Sequence, residues 1–178
     1  MSKLGVPFDH ISPDIDETRL KGETVKDYVM RLSIQKALKI AKDQANAIVI
    51  GSDEVADVDG MILGKPKTKI NAKKQLKMLS NNKVIFRTGL CVMNSSSKKY
   101  YSSVNNYTIY FKSLTDSLIE SYLRSDDVLN CAASIRIEGT AINLVKSMKG
   151  SDPSSIMGLP LLKLIEYLEK FNVKTLGK

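Results

Sequence analysis

The sequence predicts an α/β fold in which helices flank a mixed, twisted β-sheet with a central cleft. Apolar residues recur at steps of three and four after Thr24, which is typical of an amphipathic helix. The following run, ANAIVIGSDEV, is rich in Ile and Val, which favours a buried strand. Because strand-like and helix-like patterns then alternate irregularly, we expect helices packed on a twisted sheet.

Length and composition predict one globular domain over residues 1–178. The chain has 43% hydrophobic and 26% charged residues, which is typical of a protein that folds around an ordinary core. It contains neither an apolar run of roughly 18 residues nor a signal-peptide core at MSKLGVPFDH. We therefore expect a cytoplasmic protein without a membrane partner.

The first segment is extended and rich in turns, and a helix follows from near Thr24. Lys36 interrupts the apolar stripe of this helix. A lysine there either packs its stem while the ammonium reaches water, or points into a cleft. The stripe itself consists of Val25, Tyr28, Val29, Leu32 and Ile40.

Asp59-Gly60 predicts a two-residue β-hairpin after the first strand. A type I′ turn requires positive φ at both central positions, and this residue pair suits it. Residues that face each other across the hairpin would then have numbers that sum to 119. Glu54 would face Lys65 at its open end.

The remaining elements are predicted from local patterns. Asn71 is expected to cap a short helix, and Ser113 with Asp116 to form a capping box before another. VIFRTGLCVMN and KYYSSVNNYTIYF predict two strands joined around residues 95–97, and SIRIEGTAINLV alternates like a further strand. LPLLKLIEYLEKF predicts a closing amphipathic helix.

Asp53 and Glu54 are adjacent carboxylates at the end of a buried strand. Neighbouring strand residues point to opposite faces, so the two acids are expected to have separate tasks. One would act on a metal or water, and the other would contact a ligand or hold Lys65. Paired acids with lysines suit phosphoryl chemistry with Mg²⁺, although acid pairs near turns also occur at ordinary protein surfaces.

The net charge of +8 indicates a polyanionic partner without identifying it. Nucleic acid and a phosphorylated small molecule both satisfy that charge. The lysines are scattered, and no aromatic stacking platform or recognition motif accompanies them. We therefore expect a nucleotide rather than a nucleic acid.

Several motifs resemble one known family. YVMRLSIQKA (28–37), VIGSDEV (49–55), GMILGKP (60–66) and SDPSSIMGLPL (151–161) occur in the order seen in Maf-type nucleoside triphosphate pyrophosphatases. PDIDET (13–18) resembles the acidic motif before the helix of that family. GSD in the central motif, Glu138-Gly139 and the DPSSIMGLP ending resemble the branch that hydrolyses 7-methyl-GTP.

The resemblance implies a Maf/ITPase-like fold that converts a nucleoside triphosphate to the monophosphate and pyrophosphate with a divalent cation, Mg²⁺ or Mn²⁺. Asp53 matches the family's proposed catalytic acid, which activates water or holds the metal. Glu17, Lys36 and Lys65 match the other charged residues of the site. Glu17 is the second expected metal ligand, and a homodimer is a possible assembly.

The resemblance also implies positions that select the substrate. Glu54 and Glu138 match positions linked to base selection, and a carboxylate can accept hydrogen bonds from N1–H and the exocyclic amine of a guanine. Glu54 stands where a glutamine is expected in the 7-methyl-GTP branch. Residues 133–136 replace a Gly-Ser-aromatic-Lys stretch, in which Arg136 retains a cation for substrate binding.

The family normally begins with a strand and a Ser-x-Ser-x-Arg-Arg loop that binds phosphate. Here the sequence starts at MSKLGVPF, so we expect that strand and loop to be missing. The expected function is pyrophosphatase activity with 7-methyl-GTP as the first-choice substrate. The alternative is a nucleotide-binding Maf-like protein with impaired catalysis.

Overall fold

The computed structural model describes residues 1–175, and within them five strands form one sheet that is accompanied by four α-helices. The helices are α1 Val25–Ala41, α2 Lys69–Leu79, α3 Asp116–Ser125 and α4 Leu161–Glu169. The strands are β1 Ile48–Val58, β2 Met61–Leu63, β3 Lys83–Asn94, β4 Tyr100–Phe111 and β5 Val145–Gly150. Their order in the sheet is β2-β1-β3-β4-β5. The predicted α/β fold is confirmed.

Strands β3 and β4 form the predicted hairpin around residues 95–97. Near its tip, the Asn94 amide donates to the Lys99 carbonyl over 2.9 Å. At its far end, the Phe111 amide donates to the Asn82 carbonyl over 2.9 Å. The residue numbers of both pairs sum to 193, as one antiparallel register requires.

The described chain divides into two compact units. The first contains Met1–Glu54, Thr88–Asn105 and the chain from Asp152 onward, and the second contains Val55–Arg87 and Asn106–Ser151. Strands β1, β3 and β4 each contribute residues to both units. The single domain over residues 1–178 stays a prediction. None of the helices in the described part of the chain is long and apolar enough to cross a membrane.

In the first unit, helices cover both faces of the sheet. On one face, Ala37 and Ala41 of α1 pack with Val49, Cys91 and Met93. On the other face, α4 packs against the alternate strand residues; this cluster contains Leu4, Leu90, Val92, Leu164, Tyr167 and Leu168. The alternation of side chains along β1 and β3 therefore separates an α1 face from an α4 face.

The hairpin at Asp59-Gly60 is confirmed. Both residues have positive φ, 49° and 88°, as a type I′ turn requires. Val58 pairs with Met61 and Ala56 with Leu63, in the predicted register. The paired ladder ends there, so the predicted pairing of Glu54 with Lys65 stays a prediction.

Asp57→Ala should destabilise the protein by about 3 kcal/mol or more, because it removes two hydrogen bonds to a charged carboxylate, which contribute roughly 1.5–3 kcal/mol each. The Asp57 side chain is buried, and its two oxygens accept from Arg87 Nε over 2.5 Å and from the Gly60 amide over 2.7 Å. Urea unfolding measures the effect, with the exposed Asp43→Ala as the control. Equal stability of the two variants would contradict this assignment.

Two predicted helix caps were wrong by a few residues. Thr68, rather than Asn71, caps α2, and its hydroxyl accepts from the Asn71 amide. Thr115, rather than Ser113, caps α3 and accepts from the Leu118 amide. In both places a threonine hydroxyl reaches the amide three residues ahead, which is the geometry that an N-cap requires.

The strand predicted at SIRIEGTAINLV was wrong. A 3₁₀ turn at Ala132–Ser134 ends at the first residue of this stretch, a second turn spans Thr140–Leu144, and the strand β5 begins only at Val145. Ala133 and Ser134 have left-handed φ values of 52° and 60°, which a strand does not allow. The Asp126 carboxylate accepts from the Thr140 amide over 2.7 Å and so favours the turn.

Candidate active site

Two carboxylates of the first unit converge on one ammonium group. Lys36 Nζ lies 2.6 Å from Asp53 Oδ1 and 2.8 Å from Glu17 Oε1. The side chains of Lys36 and Asp53 are only 17% and 10% exposed, whereas that of Glu17 is 54% exposed. Lys36 therefore points toward the acids rather than into water. The structure brings three of the predicted catalytic residues together, while their roles stay predictions.

The acidic segment before α1 is held by two side chains of that helix. Tyr28 donates its hydroxyl to the Glu17 carbonyl over 2.8 Å, and Arg31 donates to the Thr18 carbonyl over 3.1 Å. Arg31 also forms an ion pair with Glu23 at 2.6 Å. Tyr28 and Arg31 are three residues apart and so lie on one side of the helix. They position Glu17 beside Lys36.

Burial and charge pull the pKa of Asp53 in opposite directions. Desolvation raises the pKa of the carboxyl above its ordinary value, and the hydrogen bond and charge of Lys36 offset only part of that rise. Burial lowers the pKa of Lys36, but hydrogen bonds to Asp53 and Glu17 outweigh it and leave the pKa raised. Asp53 is thus a more basic carboxylate beside a lysine that stays protonated.

Glycines allow α1 to lie directly on the sheet. A Cβ atom at Gly51 would clash with the Ser33 carbonyl oxygen and lie 2.7 Å from the Ala37 amide nitrogen. A Cβ atom at Gly89, on the neighbouring strand, would clash with the Val29 carbonyl oxygen. This close approach places Lys36, one residue before Ala37, beside Asp53 in the middle of β1. The expectation that Asp53 and Glu54 lie at the end of the strand was wrong, because β1 continues to Val58.

Gly51→Ala should therefore lower the free energy of unfolding by about 2 kcal/mol, within the roughly 1–3 kcal/mol expected for overpacking. Displacement of α1 should also weaken the contact between Lys36 and Asp53. Thermal unfolding measures the stability change. Gly64→Ala is the matched control, because a Cβ atom there meets nothing within 4 Å. Indistinguishable melting temperatures for the two variants would contradict the close-packing argument.

Glu54 lies on the face opposite Asp53, as predicted. Its Oε2 atom accepts hydrogen bonds from Thr88 Oγ1 and from the Gly158 amide, each over 3.1 Å. The Ser52 hydroxyl, on the same face, donates to the Gly158 carbonyl over 2.7 Å. Glu54 is thus hydrogen-bonded to the segment before α4, whereas Asp53 forms an ion pair with Lys36.

The other predicted site residues belong to the second unit. Lys65 is exposed on the loop that follows β2. Arg136 Nε lies 3.6 Å from Glu138 Oε1, and both side chains are about half exposed. Arg136 Nη1 also lies 4.0 Å from the buried carboxylate of Asp126. Arg136 therefore lies within ion-pair distance of both Asp126 and Glu138.

The donor set suits a divalent cation that is bound together with a substrate. No group of three or more His, Cys, Asp and Glu residues able to hold a metal occurs within residues 1–175. Mg²⁺ is commonly held by one or two carboxylates plus substrate phosphates. Glu17 and Asp53 already converge on one cationic group, so they can supply those carboxylates.

Comparison with known proteins identifies the family. A family model described as "Maf-like protein" matches residues 1–171. The chain belongs to the Maf family. It is 42% identical over 177 residues to a protein of Pseudoalteromonas translucida named 7-methyl-GTP pyrophosphatase. The aligned region is 99% of this chain and 88% of that relative. Proteins of the same name from Methylobacillus flagellatus and Pseudomonas aeruginosa are each 40% identical over 168 residues, or 94% of this chain and 88% of each relative.

Sequence reasoning found the charged residues of this Maf chain but missed the groups that hold them. Thr88 and Gly158 were not predicted as partners of Glu54, because they are distant from it in sequence. The GSD motif contains Ser52 but does not indicate its hydrogen bond to the Gly158 carbonyl. The positions of Tyr28 and Arg31 in YVMR could have indicated a shared role, since three-residue spacing places them on one side of a Maf helix.

Proposed function

We propose that this Maf chain is a nucleoside triphosphate pyrophosphatase with 7-methyl-GTP as its preferred substrate. The observation that carries the proposal is the convergence of Glu17 and Asp53 on Lys36. This arrangement occurs in a chain about 40% identical, over nearly its whole length, to proteins named 7-methyl-GTP pyrophosphatases. Buried acid paired with a cation is an arrangement suited to hydrolysis of a phosphoanhydride.

In the proposed reaction, Asp53 accepts the proton of the attacking water. Its raised pKa makes it a better base than an exposed aspartate. Lys36 binds Asp53 Oδ1, which orients the carboxylate, and its charge offsets negative charge that develops on phosphate oxygens. The water oxygen forms a bond to the α-phosphorus as the α–β anhydride bond breaks, and the products are the monophosphate and pyrophosphate.

Glu17 and Asp53 are the residues that would hold a divalent cation, Mg²⁺ or Mn²⁺. When bound, the cation would neutralise phosphate charge and help to orient the triphosphate. Lys65 and Arg136 are the proposed further cationic contacts to the substrate. These assignments follow the family pattern and the carboxylates described above.

Glu54 is the proposed base-selecting residue, with Glu138 as the second candidate. Methylation at N7 gives the guanine ring a positive charge. A carboxylate can accept from N1–H and the exocyclic amine and also attract that charge, whereas a glutamine offers no charge. The glutamate at position 54 is therefore compatible with selection of a cationic base.

Initial rates of pyrophosphate release from 7-methyl-GTP, GTP, dTTP and UTP test this proposal. We expect the highest kcat/KM for 7-methyl-GTP, and no release without a divalent cation. Nucleotide binding without release of pyrophosphate would contradict the enzyme assignment and favour a binding protein. A higher kcat/KM for another nucleotide would contradict the substrate assignment alone.

A further inference from the structure

Thr88 connects the Glu54 carboxylate to the segment before α4. Thr88 lies on β3 and is fully buried. Its Oγ1 atom lies 2.8 Å from the Ser155 carbonyl oxygen and 3.1 Å from Glu54 Oε2. The single proton of the Thr88 hydroxyl lies within reach of both acceptors. The hydroxyl therefore connects the Glu54 carboxylate with the Ser155 carbonyl.

The same Glu54 oxygen is held from a second direction. The Gly158 amide donates to Oε2, and the Gly158 carbonyl accepts from Ser52, two residues before Glu54 on β1. Gly158 has a φ of 84° and ends the 3₁₀ turn Pro153–Met157. A glycine accommodates that left-handed conformation without the steric cost of a side chain. Both polar groups of the Gly158 backbone are thus tied to β1.

The turn that supplies these partners is itself well anchored. Asp152 is buried, and its Oδ2 atom accepts from the Leu162 amide over 2.8 Å. Its Oδ1 atom accepts from the Ser154 amide over 3.0 Å. The Ser155 hydroxyl donates to the Asp152 carbonyl over 2.7 Å. Residues 152–158 therefore form a hydrogen-bonded turn that contacts Thr88 and Glu54.

We propose that Thr88 is a positioning residue for base selection, acting through the Glu54 carboxylate. A glutamate side chain has several rotatable bonds, and recognition of a base edge requires the carboxylate in one orientation. Thr88 and Gly158 fix that orientation by holding Oε2. The inference rests on the proposed function and adds a residue that charge and motif patterns did not indicate.

Thr88→Val tests this inference, because valine keeps the shape of threonine and removes the hydroxyl. We expect the ratio of kcat/KM for 7-methyl-GTP to that for GTP to fall about tenfold, since a misplaced polar group loses discrimination. Thr88→Ser, which keeps the hydroxyl, should retain the ratio within about twofold. Thr108→Val, at a half-buried position of β4, is the matched control.

An unchanged ratio in an active Thr88→Val protein would overturn the inference alone. An equal loss of rate with both nucleotides would also overturn it, because that result indicates a general structural role. If Thr88→Val does not fold, Thr88→Ala decides, because it also removes the hydroxyl that contacts Glu54 Oε2, and an unchanged ratio would overturn the inference. Absence of pyrophosphate release by the unaltered protein would overturn the proposed function and this inference together.

Discussion

Asp53→Asn is expected to lower the rate of pyrophosphate release by about a hundredfold or more, which is the scale for loss of a general base or metal ligand. Asparagine has nearly the same shape but cannot take a proton from water. It also removes one charge from a largely buried ion pair, while Lys36 keeps its ion pair with Glu17. Steady-state kinetics with 7-methyl-GTP and Mg²⁺ measure the effect.

Asp43→Asn is the matched control for that experiment, since Asp43 is exposed just after α1. Its rate should equal that of the unaltered protein. Thermal unfolding should show that Asp53→Asn remains folded. Near-normal pyrophosphate release by folded Asp53→Asn would remove Asp53 from catalysis and leave it a structural role.

Lys36→Met should lower kcat/KM by about a hundredfold, comparable with the loss of one charged donor at a reacting oxyanion. It should also move the acid limb of the pH profile to higher pH. Burial raises the pKa of Asp53, and the Lys36 ammonium lowers that pKa and so offsets part of the rise. Without the ammonium the pKa rises further, so the reactive carboxylate becomes protonated at a higher pH as the pH falls.

Two controls separate charge from packing in the Lys36 experiment. Lys36→Arg keeps the positive charge and should leave the acid limb nearer to that of the unaltered protein. Lys39→Met removes an exposed lysine of the same helix and should change neither rate nor pH profile. An acid limb that stays in place in Lys36→Met would show that Lys36 does not control the proton affinity of the base.

The elements with strong local patterns could be predicted from the sequence. Thr24 caps α1, Asp59-Gly60 forms its turn, and the β3–β4 hairpin lies where alternation indicated. These features depend on residues close together in the chain. The strand predicted over residues 134–145 was wrong. Alternation of apolar residues does not reveal that Ala133 and Ser134 adopt left-handed backbone, or that Asp126 accepts a hydrogen bond from the Thr140 amide.

The sequence predicted the charged residues of the candidate site but not the residues that form hydrogen bonds to them. The alternation of a strand predicted that Asp53 and Glu54 would have different surroundings, and they do. Thr88 and Gly158 contact Glu54 only because β1, β3 and the turn before α4 meet in the fold. The closeness of α1 to β1 at Gly51 likewise depends on tertiary packing, which a single sequence does not display.

The most direct test of the central claim is ³¹P NMR of the products formed from 7-methyl-GTP and Mg²⁺ by the unaltered protein and by Asp53→Asn. We predict that the unaltered protein forms 7-methyl-GMP and pyrophosphate in equal amounts. The rate of their formation by Asp53→Asn should be lower by about a hundredfold or more. Formation of a nucleoside diphosphate with orthophosphate, or equal rates for the two proteins, would contradict the claim that the site of Asp53, Lys36 and Glu17 hydrolyses the α–β anhydride.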